Sequence, residues 1–347
     1  MASLTCASWI PLLIVAFVSL KALWQWLRRG RILTSYDSYS VLLTGCDSGF
    51  GKATALALRS RGFRVFAGCL TEAGRGSLAA HADAGLIPLR LDVTSDADVA
   101  DALETVKKSS GKPLLAVLNV AGVQLGALVE WSSLEHFEAC IRVNYLGMVR
   151  VCKAALPLLK LCARGGGIDG RTGGAAVRPR FVNVTSVNGL VSLPGVAPYA
   201  SSKFAAEAFT DALRWECRPW GIDVVTCNPG TFATPMLDAA PQQIRRCFDA
   251  AAPAVRADYG PKYVESTTAG VAQFAAFAGR PYQVVDALVD ATVRMHPHSR
   301  YLVGYDAHTA WIWLYRMPRA MKDAFMHFAM RWVLPRPAAL AHHDNDA

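Results

Sequence analysis

Tyr199 and Lys203 stand four residues apart in Pro198-Tyr199-Ala200-Ser201-Ser202-Lys203-Phe204-Ala205-Ala206-Glu207-Ala208-Phe209. Small and apolar residues recur there at helical spacing, and no Pro or Gly interrupts the run after Pro198. The pattern predicts a helix beginning at or just before Tyr199, with Tyr199 and Lys203 on one face and one turn apart. A free phenol titrates near pH ~10, too high for a base at neutral pH. A neighbouring ammonium favours the phenolate, so the pair is predicted to be an acid–base unit with a lowered phenol. The same spacing also arises on ordinary solvated helix faces, so the surrounding chain has to decide.

The elements that would position the pair are legible. Tyr39-Ser40-Val41-Leu42-Leu43-Thr44-Gly45 is an apolar run ending in glycine. It is followed by Cys46-Asp47-Ser48-Gly49-Phe50-Gly51 and a helix-like stretch from Lys52 to Arg59. Strand, glycine-rich turn and helix in that order make a dinucleotide-binding turn, in which small residues let backbone approach a pyrophosphate. Further apolar runs follow at Arg64–Gly68, Leu86–Leu91, Leu114–Leu118, Phe181–Val184 and Ile222–Cys227, with helical patterns between them. This alternation predicts an α/β fold: a Rossmann-type, doubly wound parallel sheet covered on both faces. Ligands of such sheets bind beyond the carboxyl ends of the strands. The residues there are Asp92-Val93, Asn119-Val120-Ala121-Gly122, Thr185-Ser186 and Asn228-Pro229-Gly230-Thr231.

The 347 residues suffice for one large α/β domain with extensions. Hydrophobic residues make up 52% and charged residues 18%, which excludes a disordered chain. The net charge of +9 comes without zinc-finger spacing, an RNP-type aromatic run or a basic helix, so no nucleic-acid partner is expected. Nine scattered cysteines without a C-x-x-C pair suggest neither a metal site nor a disulfide framework, and lean towards a reducing compartment. Residues 1–31 read as a membrane anchor: Trp9–Leu20 is uncharged, Lys21 interrupts, and Ala22–Leu27 continues. Arg28, Arg29 and Arg31 follow the span, which places the rest of the chain in the cytosol.

Taken together and in order, Thr44-Gly45 through Gly51, Asn119-Val120-Ala121-Gly122, Asn144, Ser186, Tyr199 with Lys203, and Pro229-Gly230 resemble the short-chain dehydrogenase/reductase family over residues 38–305. Cys46–Gly51 and Gly62–Leu70 resemble the branch that holds microsomal retinol dehydrogenases, type 2 17β-hydroxysteroid dehydrogenase and D-3-hydroxybutyrate dehydrogenase. The resemblance implies a catalytic set of Asn144, Ser186, Tyr199 and Lys203. It implies that Tyr199 exchanges a proton with the substrate, Ser186 holds the substrate oxygen, and Lys203 lowers the phenol and bonds the nicotinamide ribose. Asn144 would fix a water that extends the proton path. The implied cofactor contacts are Gly45, Asp47, Ser48, Gly49, Phe50, Gly51, Leu70, Asp92, Val93, Asn119, Ala121, Gly122, Tyr199, Lys203, Pro229, Gly230 and Thr231. Two features depart from the family: Val120 where a second Asn is usual, and a long Gly- and Arg-rich connection over 164–180, read as a surface loop.

Positions 46–48 and 69–72 carry no base, and Asp47 would repel a 2′-phosphate, so NAD is expected over NADP; Arg75 is the nearest base after the second strand. The tail at 306–340 mixes aromatics with Arg and Lys, which suits interfacial helices, a lid over the substrate or a homodimer contact. The expected enzyme is a membrane-associated oxidoreductase acting with NAD on a lipophilic retinoid- or hydroxysteroid-type alcohol. Its expected place is the endoplasmic reticulum membrane with the catalytic domain cytosolic, the mitochondrial membrane being the alternative. A D-3-hydroxybutyrate-type dehydrogenase and a non-catalytic nucleotide-sensing scaffold are the other readings.

Overall fold

Seven strands carry the architecture: β1 (Ser40–Leu43), β2 (Arg64–Cys69), β3 (Leu86–Arg90), β4 (Leu114–Asn119), β5 (Arg180–Val184), β6 (Asp223–Pro229) and β7 (Arg300–Val303). The computed structural model describes residues 19–20, 32–33, 36–81, 83–165, 177–333 and 335–341. The strands form one sheet in the order β3-β2-β1-β4-β5-β6-β7, every pair parallel. The chain reverses direction of growth between β1 and β4, so the switch point lies beside the glycine turn. All six predicted strands are present. β7 is additional; only Val303 of its four residues is buried, so it has no continuous apolar run to betray it.

Strands β1, β4 and β5 are buried along their whole length, as sheets covered on both faces require. One face packs against the helix that follows the glycine turn, α1 (Gly49–Ser60), through Ala55 and Leu58, and against Tyr282–Val293 through Val284 and Leu288. The other face packs against α3 (Asp96–Ser110), α5 (Met148–Arg164) and α6 (Ala197–Cys217), through residues such as Val106, Val151 and Leu213. The short helix α2 (Glu72–Ala79) follows β2, and α4 (Leu134–Cys140) leads towards α5. Fully buried side chains such as Leu42, Phe66 and Leu118 each contribute about 1.5–3 kcal/mol to this core. Pro198 sits in the first turn of α6, where its missing N–H costs nothing and its fixed φ favours the helix.

Apart from Ser19 and Leu20, the predicted anchor over 1–31 lies outside the described residues, as do 166–176 of the Gly- and Arg-rich connection. Among the described residues no helix is long and apolar enough to cross a membrane. The eight described cysteines are all buried free thiols. The tail does not stand apart from the domain: Ala307 and Trp311 bury against Val187, Leu190 and Val191.

Candidate active site

The site is assembled at the carboxyl ends of β1, β4, β5 and β6. Ser186 lies two residues past the end of β5 and is buried; its Oγ accepts from the Asn188 N–H at 3.1 Å, which fixes its rotamer. Tyr199 and Lys203 come from the first turns of α6 and are buried, so the predicted helix and shared face are found. The Ser186 hydroxyl stands on the phenol side of Tyr199, near enough to favour its ionised form. The Lys203 ammonium donates to the Val184 carbonyl at 3.0 Å and lies 5.6 Å from the Tyr199 ring centre.

Asn144 reaches the same place by a π-turn. Residues Ile141–Gly147 carry π-type bonding between α4 and α5, a widened turn common at functional sites. Asn144 Oδ1 accepts from the Val123 N–H at 2.8 Å, and its Nδ2 donates to the Val123 carbonyl at 2.8 Å and to Ser202 Oγ at 2.9 Å. Gly122 is the meeting point: a Cβ there would lie 3.2 Å from Asn144 Oδ1 and 3.5 Å from Lys203 Nζ. All four predicted catalytic residues therefore converge.

The electrostatics correct one expectation. Burial pushes the Tyr199 phenol up to about 12, against the opposing pull of the nearby Ser186 hydroxyl. Burial pulls the Lys203 ammonium down from 10.5 to about 8, with Cys140 and Glu207 opposing. The phenol is thus raised, not lowered as the pairing alone predicts. Desolvation disfavours both charged forms, and Lys203 sheds its proton before Tyr199 could use its charge. The arrangement as it stands presents a phenolic proton donor at neutral pH.

The glycine turn fits a dinucleotide. Gly45 has φ +71°, and a Cβ there would press to 2.6 Å from the Ala121 backbone. Gly49 has φ +55° with open space beside it, and a Cβ on Gly51 would strike the Gly45 carbonyl. Ser48 makes no side-chain cap, so the first N–H groups of α1 keep no side-chain acceptor from it. Thr44 Oγ1 accepts from the Val120 and Ala121 N–H groups, both at 3.1 Å, locking the end of β4 against β1. Asp47 accepts from the Leu70 N–H at 2.9 Å and from the Thr71 N–H and hydroxyl at 2.8 and 2.7 Å. Partial burial works against its charge, yet these bonds from Thr71 and Leu70 hold the carboxyl below the usual carboxylate range. Arg75, the nearby base, is ion-paired with Glu72 at 2.6 Å.

The remaining predicted contacts divide. Asp92 caps its own turn, accepting from the Thr94 N–H and hydroxyl at 2.8 Å, and Val93 is buried against Gly147. Gly230 donates to the Val303 carbonyl at 2.8 Å, and Thr231 N–H donates to Asp306 at 2.8 Å, so Pro229-Gly230-Thr231 is anchored to β7 and to the start of the tail. Asn119 does not face the site with its side chain. Its Nδ2 donates inward to Asn183 Oδ1 at 2.8 Å and to the Cys152 sulfur at 3.3 Å, tying β4 to β5 and α5.

Apolar walls flank the chemistry. Trp131, beyond β4, meets Phe248, Tyr259 and Tyr263 with ring centres at 4.9, 5.1 and 5.7 Å. The loop leading to it rests on α6, since a Cβ on Gly126 would contact Pro198. On the other side Val187, Leu190 and Val191 pack with Trp311. Phe50 of the glycine turn meets Phe232 edge-on at 5.9 Å. Sequence reasoning missed Trp131 and Phe232, and reached Asp306 and Trp311 only as part of the tail at 306–340, because only the folded sheet brings these segments together.

The family model described as short chain dehydrogenase matches residues 39–245. Retinol dehydrogenase 5 of Mus musculus is 34% identical over 338 residues, covering 95% of this chain and 98% of the relative. The 17-beta-hydroxysteroid dehydrogenase type 6 of Rattus norvegicus is 33% identical over 325 residues, covering 92% of this chain and 97% of the relative. Among solved structures, a short chain dehydrogenase/reductase of Burkholderia phymatum in complex with NAD superposes with a TM-score of 0.63 at 21% identity, over 84% of this chain and 96% of that one. A short chain dehydrogenase of Burkholderia cenocepacia in complex with NADP gives 0.59 at 22% identity, over 82% and 96%. These two likenesses bear on the fold.

Proposed function

The chain belongs to the short-chain dehydrogenase family, and we propose that within it the protein interconverts a lipophilic alcohol, of retinoid or hydroxysteroid type, and its carbonyl with NAD. It is an oxidoreductase that works with a nicotinamide dinucleotide. The observation that carries the proposal is the buried Ser186–Tyr199–Lys203 set lying between two apolar clusters, one around Trp131 and one around Trp311. The relatives named for retinol and for a hydroxysteroid support the substrate class.

When bound, the dinucleotide supplies or accepts the hydride. The turn from Gly45 to Gly51 would hold its pyrophosphate, and Lys203 its nicotinamide ribose. Ser186 Oγ, beside the phenol, holds the substrate oxygen where charge develops. Tyr199 gives its proton to that oxygen in reduction and takes one from it in oxidation. Lys203 and Asn144, converging at Gly122, hold the proton path behind it. The ionised Asp47, held by the Leu70 and Thr71 N–H groups, would repel a 2′-phosphate, and Arg75 is paired with Glu72; both favour NAD.

The domain is also proposed to sit on the cytosolic face of the endoplasmic reticulum membrane. Arg28, Arg29 and Arg31 after the apolar stretch support this orientation. The helix Arg319–Val333, where Met321, Phe325 and Phe328 are exposed at one-face spacing beside Arg319 and Lys322, supports contact with a membrane surface, not the orientation.

The deciding experiment is a screen of the purified full chain with NAD and NADP against retinol, hydroxysteroids and D-3-hydroxybutyrate. The expected result is turnover of a retinoid or steroid with higher kcat/KM for NAD. Turnover confined to the hydroxy acid, or a clear NADP preference, overturns the corresponding part of the proposal.

A further inference from the structure

Behind the site lies a closed polar network that the mechanism above does not use. Glu207 is on α6, one turn beyond Lys203, and is buried. Its Oε1 accepts from the Thr185 hydroxyl at 2.5 Å and from Asn228 Nδ2 at 2.6 Å. Its Oε2 accepts from Arg300 Nη2 at 2.7 Å, while Arg300 Nη1 donates to Asn228 Oδ1 at 2.7 Å. Asn228 Nδ2 also lies 3.2 Å from the Ser186 carbonyl and 2.8 Å from Thr185 Oγ1. The helix that carries Tyr199 and Lys203 is thereby tied to the ends of β5, β6 and β7, with Ser186 at the centre of the tie.

A buried carboxylate is costly unless its lone pairs are met by good donors. Here a guanidinium fork and two neutral donors meet them. The fold leaves room for the group: Gly189, in the turn after Ser186, would bring a Cβ to 3.0 Å from Glu207 Cγ. The titratable groups facing Lys203 are Tyr199 on its own helix, Cys140 at the end of α4, and Glu207. Burial pushes the Cys140 thiol above its ordinary value and the Tyr199 phenol up to about 12. Neither carries charge at neutral pH, which leaves Glu207, itself paired with Arg300, as the counter-charge.

We infer that Glu207, clamped by Arg300, Asn228 and Thr185, is a positioning residue of the dehydrogenase reaction, holding Ser186 against Tyr199 and supplying the counter-charge of Lys203. Arg300 stands close to a hundred positions away in the chain, and its fork is what joins β7 and β6 to the catalytic helix. The inference rests on the family chemistry and not on the substrate class proposed above.

The test is Glu207→Gln, which keeps shape and removes charge, with Arg300→Lys as a second variant that keeps the cation and loses the fork. The expected result for E207Q is a kcat lower by about tenfold or more with KM within about twofold. The high-pH limb of carbonyl reduction moves to lower pH, because Lys203 without its counter-charge loses its proton earlier. Amide hydrogen exchange over residues 184–190 quickens while the rest of the sheet is unchanged. R300K shows the same changes, smaller. Wild-type kcat, pH profile and exchange in a folded E207Q overturn the inference, as does a variant that loses only thermal stability. If E207Q does not fold, R300K decides by the same three readouts. A wild type inactive on every alcohol screened refutes the substrate reading, and exchange at 184–190 then still decides this one.

Discussion

Replacing Lys203 with methionine separates the cost of burying this ammonium from its use. The stem of Met fills most of the space of the lysine stem, and the position is buried. The drop of the ammonium from 10.5 to about 8, at about 1.4 kcal/mol per pH unit, means that the charged form costs the fold roughly 3 kcal/mol at pH 7. The variant also loses the 3.0 Å bond to the Val184 carbonyl, worth about 1 kcal/mol. The net gain is then ~2 kcal/mol, and at ~2 cal/mol/K per residue a chain of this size rises by about 3 °C in Tm. The sign with pH follows from proton counting. Between about pH 8 and 10.5 the unfolded wild type binds a proton that the folded wild type does not, so wild-type stability rises with pH relative to K203M. The advantage of K203M at pH 7 should therefore vanish by about pH 10. Thermal unfolding of both full-length proteins in detergent at the two pH values reads this directly, with turnover lost in parallel. A K203M protein less stable than wild type at pH 7, or a gap that does not close at high pH, refutes the reasoning.

Two other outcomes are expected. Tyr199→Phe should lower kcat by about a thousandfold or more, the span of a general acid–base group, while NADH binding followed by fluorescence stays near wild type; retention of more than a few per cent of the rate refutes the role. Protease added to intact microsomes should digest the catalytic domain, and protection until detergent is added would reverse the proposed orientation.

Six strands were readable because each is an apolar run buried on both faces, which leaves a mark in the residues themselves. β7 was not, since three of its four residues are only half-buried. The catalytic four were readable as types at positions, but not the device that delivers Asn144. A π-turn at Ile141–Gly147 depends on closure against Val123 and Ser202 from other elements. The inward direction of Asn119 has the same origin: the end of a strand offers two faces, and only the partner strand with Asn183 selects one.

The misjudged Tyr199 phenol shows why local pairing is insufficient. Reading Tyr199 and Lys203 as neighbours adds a cation to the phenol and leaves out the protein around both. Desolvation acts on the two partners in opposite directions, raising the phenol to about 12 and lowering the ammonium to about 8. The cation that should help the phenol is itself suppressed by the same burial. The suppression is as small as it is because a charge that favours the ammonium is held where water cannot replace it. Glu207 is in that position, one helical turn from Lys203 and fixed through Arg300 and Asn228 to two strands. Its partners lie on segments that no spacing rule connects to Tyr199 and Lys203. The recognisable residues of the site therefore depend on ones that can be identified only after the sheet has brought them together.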